Sequence, residues 1–400
     1  MGIYLNPRSK GFQSSLNSEI YVDKTDLLEQ TNRVLGTRQK FLCVSRPRRF
    51  GKSMAADMLA AYYSCGADSS ELFDGLQISR SESYRKNLNQ YDVIKVNMQD
   101  FLSMAHSMDE MLEMLQRYLI RELTRSFEAV DFFDRTNLIQ MLKDIYAETD
   151  RAFVILIDEW DCLFREYQHD QVAQRKYLDF LRAWLKDQDY VALAYMTGIL
   201  PIKKYGTHSA LNMFTEYSMT DPGELAPFFG FTEQEVQELC PQYDMSYDKM
   251  KQWYDGYDLK GIQIYNPRSV VMSLSGHDFD SYWTKTETYE ALKKYIQMDM
   301  YNLKELVTRL IAGSSIEINP DKFQNDMTTF ASADDVLTLL VHLGYLTYDF
   351  DTCTVHIPNQ EVQKEFINCI EDGGWEPVMD AIRKSEELLA ATIRGEEETV

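Results

Sequence analysis

The sequence predicts an α/β domain, a parallel sheet flanked by helices, followed by a mainly α-helical, winged-helix-like domain. Three observations carry that prediction. The first is Phe41–Val44, a short apolar strand, which leads through a basic loop ending in Gly51-Lys52-Ser53 into a helix where Met54, Met58 and Leu59 recur at helical spacing. The second is Phe153-Val154-Ile155-Leu156-Ile157, an uninterrupted apolar run closed by Asp158 and Glu159, as in a strand buried on both faces of a parallel sheet. The third is a change of pattern near Thr220-Asp221-Pro222-Gly223, where strand–helix alternation gives way to helical periodicity.

The first of these stretches has the layout of a phosphate-binding loop. Backbone N–H groups and a helix N-terminus surround the β- and γ-phosphates, a Lys neutralises their charge, and a Ser or Thr hydroxyl coordinates Mg²⁺. Lys52 and Ser53 take those two roles, and the loop itself comprises Arg46, Pro47, Arg48, Arg49, Phe50, Gly51, Lys52, Ser53 and Met54. The generic pattern G-x-x-x-x-G-K-[ST] is incomplete, because Arg46 stands where the first Gly belongs. A basic turn capping an ordinary helix would explain this motif alone, and a buried strand that happens to end in acid would explain the second. Together, in this order, they predict an NTPase site. Ligands of parallel sheets bind beyond the carboxyl ends of the strands; there Asp158 would hold Mg²⁺ through water and Glu159 would polarise the attacking water.

The motifs SRPRRFGKS, VILIDEWD, TGILPI, FFGFTEQEV, WYDGYDL, IYNPRSV and HIPNQEV resemble those of the bacterial AAA-ATPase-like proteins, which usually carry a PD-(D/E)XK-type nuclease domain at their C-terminus. The resemblance runs from about Tyr21 to about Val362, and the RPRRFGKS form with Arg46 is usual in that family. It implies ATP as the nucleotide; the residues alone show no base-specific motif such as N-K-x-D.

In chain order, YVDKTDLLEQ predicts a helix from about Asp26, capped by Asp23 or Thr25, with Lys24 a surface residue. Asp92–Met98 reads as the second strand; Asp100 either reaches the γ-phosphate or caps the helix that follows. Met108–Glu148 predicts one or two long covering helices with an apolar stripe of Met111, Leu112, Met114, Leu115, Leu119 and Ile120. Tyr190–Thr197 is the next buried strand, and Thr197 at its end fits a polar sensor of the γ-phosphate or the attacking water, or a simple turn cap. Lys203, Lys204 and His208 are rim residues, any of which could place a cation near phosphate in cis or for a neighbouring subunit. Phe214–Met219 suggests a fifth, short strand. Thr232 and Glu235 form a capping box that opens the helical region, WYDGY reads as a packing turn, and GYLTYDF with CTVHIPN reads as a hairpin about Asp351-Thr352. The expected domains are 1–225, 226–360 and a helical segment 361–400 leading toward a nuclease domain that this chain does not include.

Composition narrows the function. With 63 acidic against 41 basic residues the net charge is −22, which argues against broad, sequence-independent nucleic-acid binding. The six cysteines are scattered without a C-x-x-C pair, so neither a zinc site nor a disulfide framework is expected. The N-terminus lacks the apolar core of a signal peptide, and no run approaches the ~20 apolar residues of a membrane span; a cytoplasmic protein without a membrane partner follows. The expected function is an ATP-binding and ATP-hydrolysing switch for a C-terminal effector or partner protein, with homo-oligomerisation open. The alternatives are an ATP-gated scaffold with little hydrolysis, or the regulatory half of a nuclease.

Overall fold

The computed structural model describes residues 2–202, 204–205, 208–209, 211–283, 288–297, 301–324, 327–328 and 330–372, with backbone alone for 204–205, 208–209, 288–291 and 372. Lys203, the side chains of Lys204 and His208, and positions 373–400 of the expected C-terminal segment lie outside the described residues. The chain divides into two compact units, residues 1–230 with 324–329, and residues 231–323 with the chain from Phe330 onward. The expected boundary near 225 thus stands beside an observed division after Gly230, and the helix Gln360–Asp372 belongs to the second unit.

Among the described residues the first unit has seven strands, β1 (Phe41–Ser45), β2 (Asp92–Asn97), β3 (Phe153–Asp158), β4 (Val191–Gly198), β5 (Lys204–Tyr205), β6 (His208–Ser209) and β7 (Thr215–Tyr217). Five of them form one sheet in the order β2-β3-β4-β1-β7, and every neighbouring pair is parallel. Every residue of β1, β3 and β4 is buried, the physical reason these strands are continuous apolar runs rather than alternating ones. Leu42, Val44, Val154, Leu156 and Tyr195 share a core with Met58, Leu59, Tyr62 and Tyr63 of the helix Lys52–Tyr63. On the opposite pleat Cys43, Ile155, Ile157, Ala194 and Met196 are equally buried, so both sheet faces are covered. The expected fifth strand is β7, and the covering region is two helices, Met108–Ser126 and Leu138–Thr149, with Met111, Leu115 and Leu119 fully buried. Glu122 of the first of these anchors the N-terminus by accepting the N–H groups of Ile3, Tyr4 and Leu5.

Two local expectations are corrected. The helix after YVDKT spans Leu27–Val34 behind Asp26 and has no side-chain cap; Asp23 instead accepts the Thr25 and Gln77 N–H groups, tying two loops together. The helix after β2 spans Met98–Met104 and is capped by Asn97, whose side chain accepts the Gln99 N–H at 2.9 Å, while Asp100 lies in its first turn. Asn captures this position because it ends the strand in extended backbone, with its oxygen beside the helix's unpaired N–H groups.

Among its described residues the second unit carries two small antiparallel sheets among helices. β8 (Phe231–Thr232), β9 (Tyr257–Asp258) and β10 (Gln263–Tyr265) pair in the order β8-β10-β9; β11 (Ile316–Glu317), β12 (Thr347–Asp349) and β13 (Thr354–His356) pair in the order β11-β13-β12. The expected hairpin is β12–β13, and the expected capping box of Thr232 and Glu235 opens the helix Glu233–Leu239 with both reciprocal bonds. Within WYDGY, Tyr257 donates to the Gly344 carbonyl, and Gly256 has φ +103° with a Cβ position only 2.1 Å from the Pro358 oxygen. No side chain other than glycine's fits there, so the motif is a packing turn. HIPNQEV closes on the same turn: Asn359 donates to the Asp255 carbonyl, and buried Glu361 accepts from Ser269 Oγ and from the Tyr282 and Trp283 N–H groups.

Candidate phosphate and carboxylate site

The three segments singled out in the sequence converge because of strand order. In the sheet β4 lies between β1 and β3, with Val44 opposite Thr197, Ser45 opposite Gly198 and Asn97 opposite Asp158. The strands are parallel, so the loop after Ser45, the acidic pair after Ile157 and the Thr197-Gly198 end of β4 emerge on one edge.

The loop turns in two left-handed steps, Arg49 at φ 70° and Gly51 at φ 87°, before the helix Lys52–Tyr63 begins. That helix has no side-chain cap, so no side chain takes up its first-turn N–H groups. Lys52 is only 5% exposed and donates Nζ to the Arg46 and Pro47 carbonyls at 3.0 and 2.8 Å. Burial lowers its pKa, and the fields of Glu159, Asp161 and Asp158 oppose that shift. Ser53 and Met54 are exposed on the first turn. Arg46, grouped in the sequence with the phosphate-binding loop, has its guanidinium fully buried; it donates to the Ser45 and Tyr217 carbonyls and lies over the Phe229 ring. Its N–H is bonded to the Gly198 carbonyl, so among loop residues it acts as a brace between β1, β4 and β7 rather than as a phosphate cation. Burial pushes its pKa down to about 10.

Asp158 is buried at the end of β3, and its Oδ1 accepts from Thr197 Oγ1 and from the Glu159 N–H. Thr197, expected to face a phosphate or water, therefore has its hydroxyl committed to the Asp158 carboxylate. Glu159 sits in the left-handed region at φ 53°, a strained conformation for a residue of its size. Burial raises its pKa, against the lowering field of Arg165.

Sequence reading missed three residues here. Asp161 is fully buried and its Oδ2 accepts the Ile199 and Leu200 N–H groups at 3.0 and 2.9 Å. Arg165 pairs with Glu159 and, through Nε at 3.3 Å, with Asp161. Gly198 is required by close approach, since a Cβ there would stand 2.7 Å from both Asp161 Oδ1 and Trp160 Nε1. The one available signal was the Asp161–Arg165 spacing of four, which places opposite charges on one helical face.

Residues 13–207 match the model of the AAA-ATPase-like family, described as predicted AAA-ATPase. A curated relative from Azotobacter chroococcum mcd 1, described as an uncharacterized protein in the vnfD 5′ region, is 27% identical over 283 residues, covering 67% of this chain and 51% of that protein. The chain thus spans about half the length of that relative. Among solved structures, Cdc6p of Pyrobaculum aerophilum aligns over 92% of this chain and 99% of its own at 10% identity, with a TM-score of 0.29. The ORC2 protein of Aeropyrum pernix, in ADPNP–ADP complexes, aligns over 91% and 98% at 10% identity and 0.33, and PCH-2 of C. elegans over 83% and 72% at 12% and 0.27. Among the described residues no helix is long and apolar enough to cross a membrane.

Proposed function

We propose that the chain binds ATP with Mg²⁺ at the loop 46–54 and hydrolyses it, serving as a nucleotide-dependent switch for a C-terminal effector or a partner protein. The observation that supports this most is the cluster at the strand ends: a buried lysine beside an uncapped helix start, in the field of three carboxylates. Such a set suits a polyanion accompanied by a divalent cation better than either alone. Lys52 would trade its two carbonyl contacts for phosphate oxygens and neutralise their charge. Ser53 and Asp158 would hold Mg²⁺, which when bound supplies further charge neutralisation on the phosphates. Glu159 would orient and polarise the attacking water, and Thr197 would keep Asp158 in its rotamer.

The second unit supports the switch reading by its element order. The winged-helix-like reading rests on the helix Leu303–Ile311, β11, the helix Ala333–Leu343 and the β12–β13 hairpin, with strands paired in the order β11-β13-β12.

The test is steady-state phosphate release from ATP·Mg²⁺, with binding of a labelled nucleotide measured alongside. Wild type is expected to turn over, Glu159→Gln to bind with turnover reduced about 10²-fold or more, and Lys52→Ala to lose binding. Binding without release by wild type would leave only a gating ligand; no binding would remove the proposal.

A further inference from the structure

The ion pairs around Glu159 form a chain with a fixed far end. Asp161 is fully buried and is held by two backbone N–H groups of the segment after β4, those of Ile199 and Leu200. Arg165, on the short helix Cys162–Glu166, pairs with Asp161 through Nε and with Glu159 through Nη2. Its side chain is 12% exposed, against 25% for that of Glu159. Burial works to lower the Arg165 pKa, but the fields of Asp161, Glu159 and further neighbours together leave it raised. Burial therefore decreases along the chain from Asp161 through Arg165 to Glu159, and only Asp161 is bonded to the backbone of the segment after β4.

Glu159 needs such an anchor. Its backbone is already in the left-handed region, and its neighbours Asp158 and Asp161 carry like charge. A glutamate with three side-chain torsions would lose an order of magnitude in effective orientation if it were free to sample them.

Resting on the hydrolytic reading above, we propose that Arg165 is the positioning residue for Glu159: held by Asp161, it aims the carboxylate at the water that attacks the γ-phosphate and contributes to turnover without contributing to nucleotide binding. A guanidinium suits the task because its planar, delocalised charge serves two carboxylates at once: Nη2 donates to Glu159, while Nε faces Asp161 at 3.3 Å as a charge contact without hydrogen-bond geometry. The same chain ties Glu159 to Ile199 and Leu200, so the acidic strand end and the segment beyond Thr197 form one mechanical unit.

The experiment compares Arg165→Ala, Arg165→Gln and Arg165→Lys with wild type in the full chain, measuring kcat for ATP·Mg²⁺ and the Kd of a fluorescent ATP analogue, with melting temperature as the check on folding. Expected are a fall in kcat of roughly 10- to 100-fold for Arg165→Ala, a Kd within about threefold of wild type, and partial recovery of kcat in Arg165→Lys but not in Arg165→Gln. Should the alanine variant fail to fold, the Lys-against-Gln comparison carries the same test. Unchanged or raised kcat, equal turnover in the Lys and Gln variants, or a parallel loss of kcat and binding would overturn the assignment. Absence of turnover in wild type removes the hydrolytic reading and this inference with it, whereas an active wild type with equally active Arg165 variants removes the inference alone.

Discussion

Glu361 offers a test of how the second unit is held together. The side chain is 2% exposed, and Oε2 accepts from Ser269 Oγ at 2.7 Å while Oε1 accepts from the Tyr282 and Trp283 N–H groups at 2.6 and 2.7 Å. Replacing it by Ala strands the donors of Ser269 and Trp283 in the interior, both on buried residues, while the half-buried Tyr282 can turn to water. At about 1–3 kcal/mol for each orphaned donor, and with a cavity added, Glu361→Ala should cost about 3–5 kcal/mol. Glu361→Gln keeps an acceptor for the two N–H groups and should cost about 1 kcal/mol. Urea unfolding followed by fluorescence of buried Trp283, with thermal melting in parallel, reads the difference; a fall of roughly 10 °C is expected for Ala and a few degrees for Gln. Burial raises the Glu361 pKa from 4.5, with Glu365 adding to the shift, so the native state holds this proton more tightly than the unfolded chain. The sign follows: the contribution to stability is largest below the ordinary carboxylate value and declines as pH rises through the folded value, and Glu361→Gln should flatten that slope. Equal midpoints for the Ala and Gln variants, or both within about 2 °C of wild type, would refute the claim that this carboxylate satisfies buried donors.

Two further outcomes follow from the site. Thr197→Val removes the hydroxyl that donates to Asp158 without changing shape much; turnover should drop about tenfold while nucleotide affinity changes little, and unchanged kcat would show that Asp158 keeps its orientation without it. Gly198→Ala pushes a methyl to within 2.7 Å of Asp161 Oδ1 and Trp160 Nε1, so a loss of about 1–3 kcal/mol in stability and a lowered kcat are expected from urea titration and phosphate release; a silent variant would mean that Asp161 can shift freely.

The elements that were legible in sequence are those whose cause is local. β1, β3 and β4 announce themselves because a parallel strand covered on both faces must be apolar along its whole length. Thr232 and Glu235 are three residues apart, so their capping box needs nothing from the rest of the chain. The cap after β2 was missed for the complementary reason: Asn97 and Asp100 are both competent, and only the place where the strand ends chooses between them. WYDGY was read as a turn from its glycine, but its contact with Pro358 could not be, since the partner lies about a hundred residues away along the chain.

The amino-acid sequence alone determined the strands β1 to β4, β7 and the β12–β13 hairpin, and where the basic loop and the acidic pair fall. Tertiary structure decided what those residues do to one another. The insertion of β4 between β1 and β3 turns Thr197 onto Asp158, sends the Arg46 guanidinium inward beneath the loop, and lets Asp161 reach Ile199 and Leu200. Periodicity and capping depend on neighbours along the chain, whereas strand order and the pairing of buried charges are settled by which distant surfaces can be desolvated together.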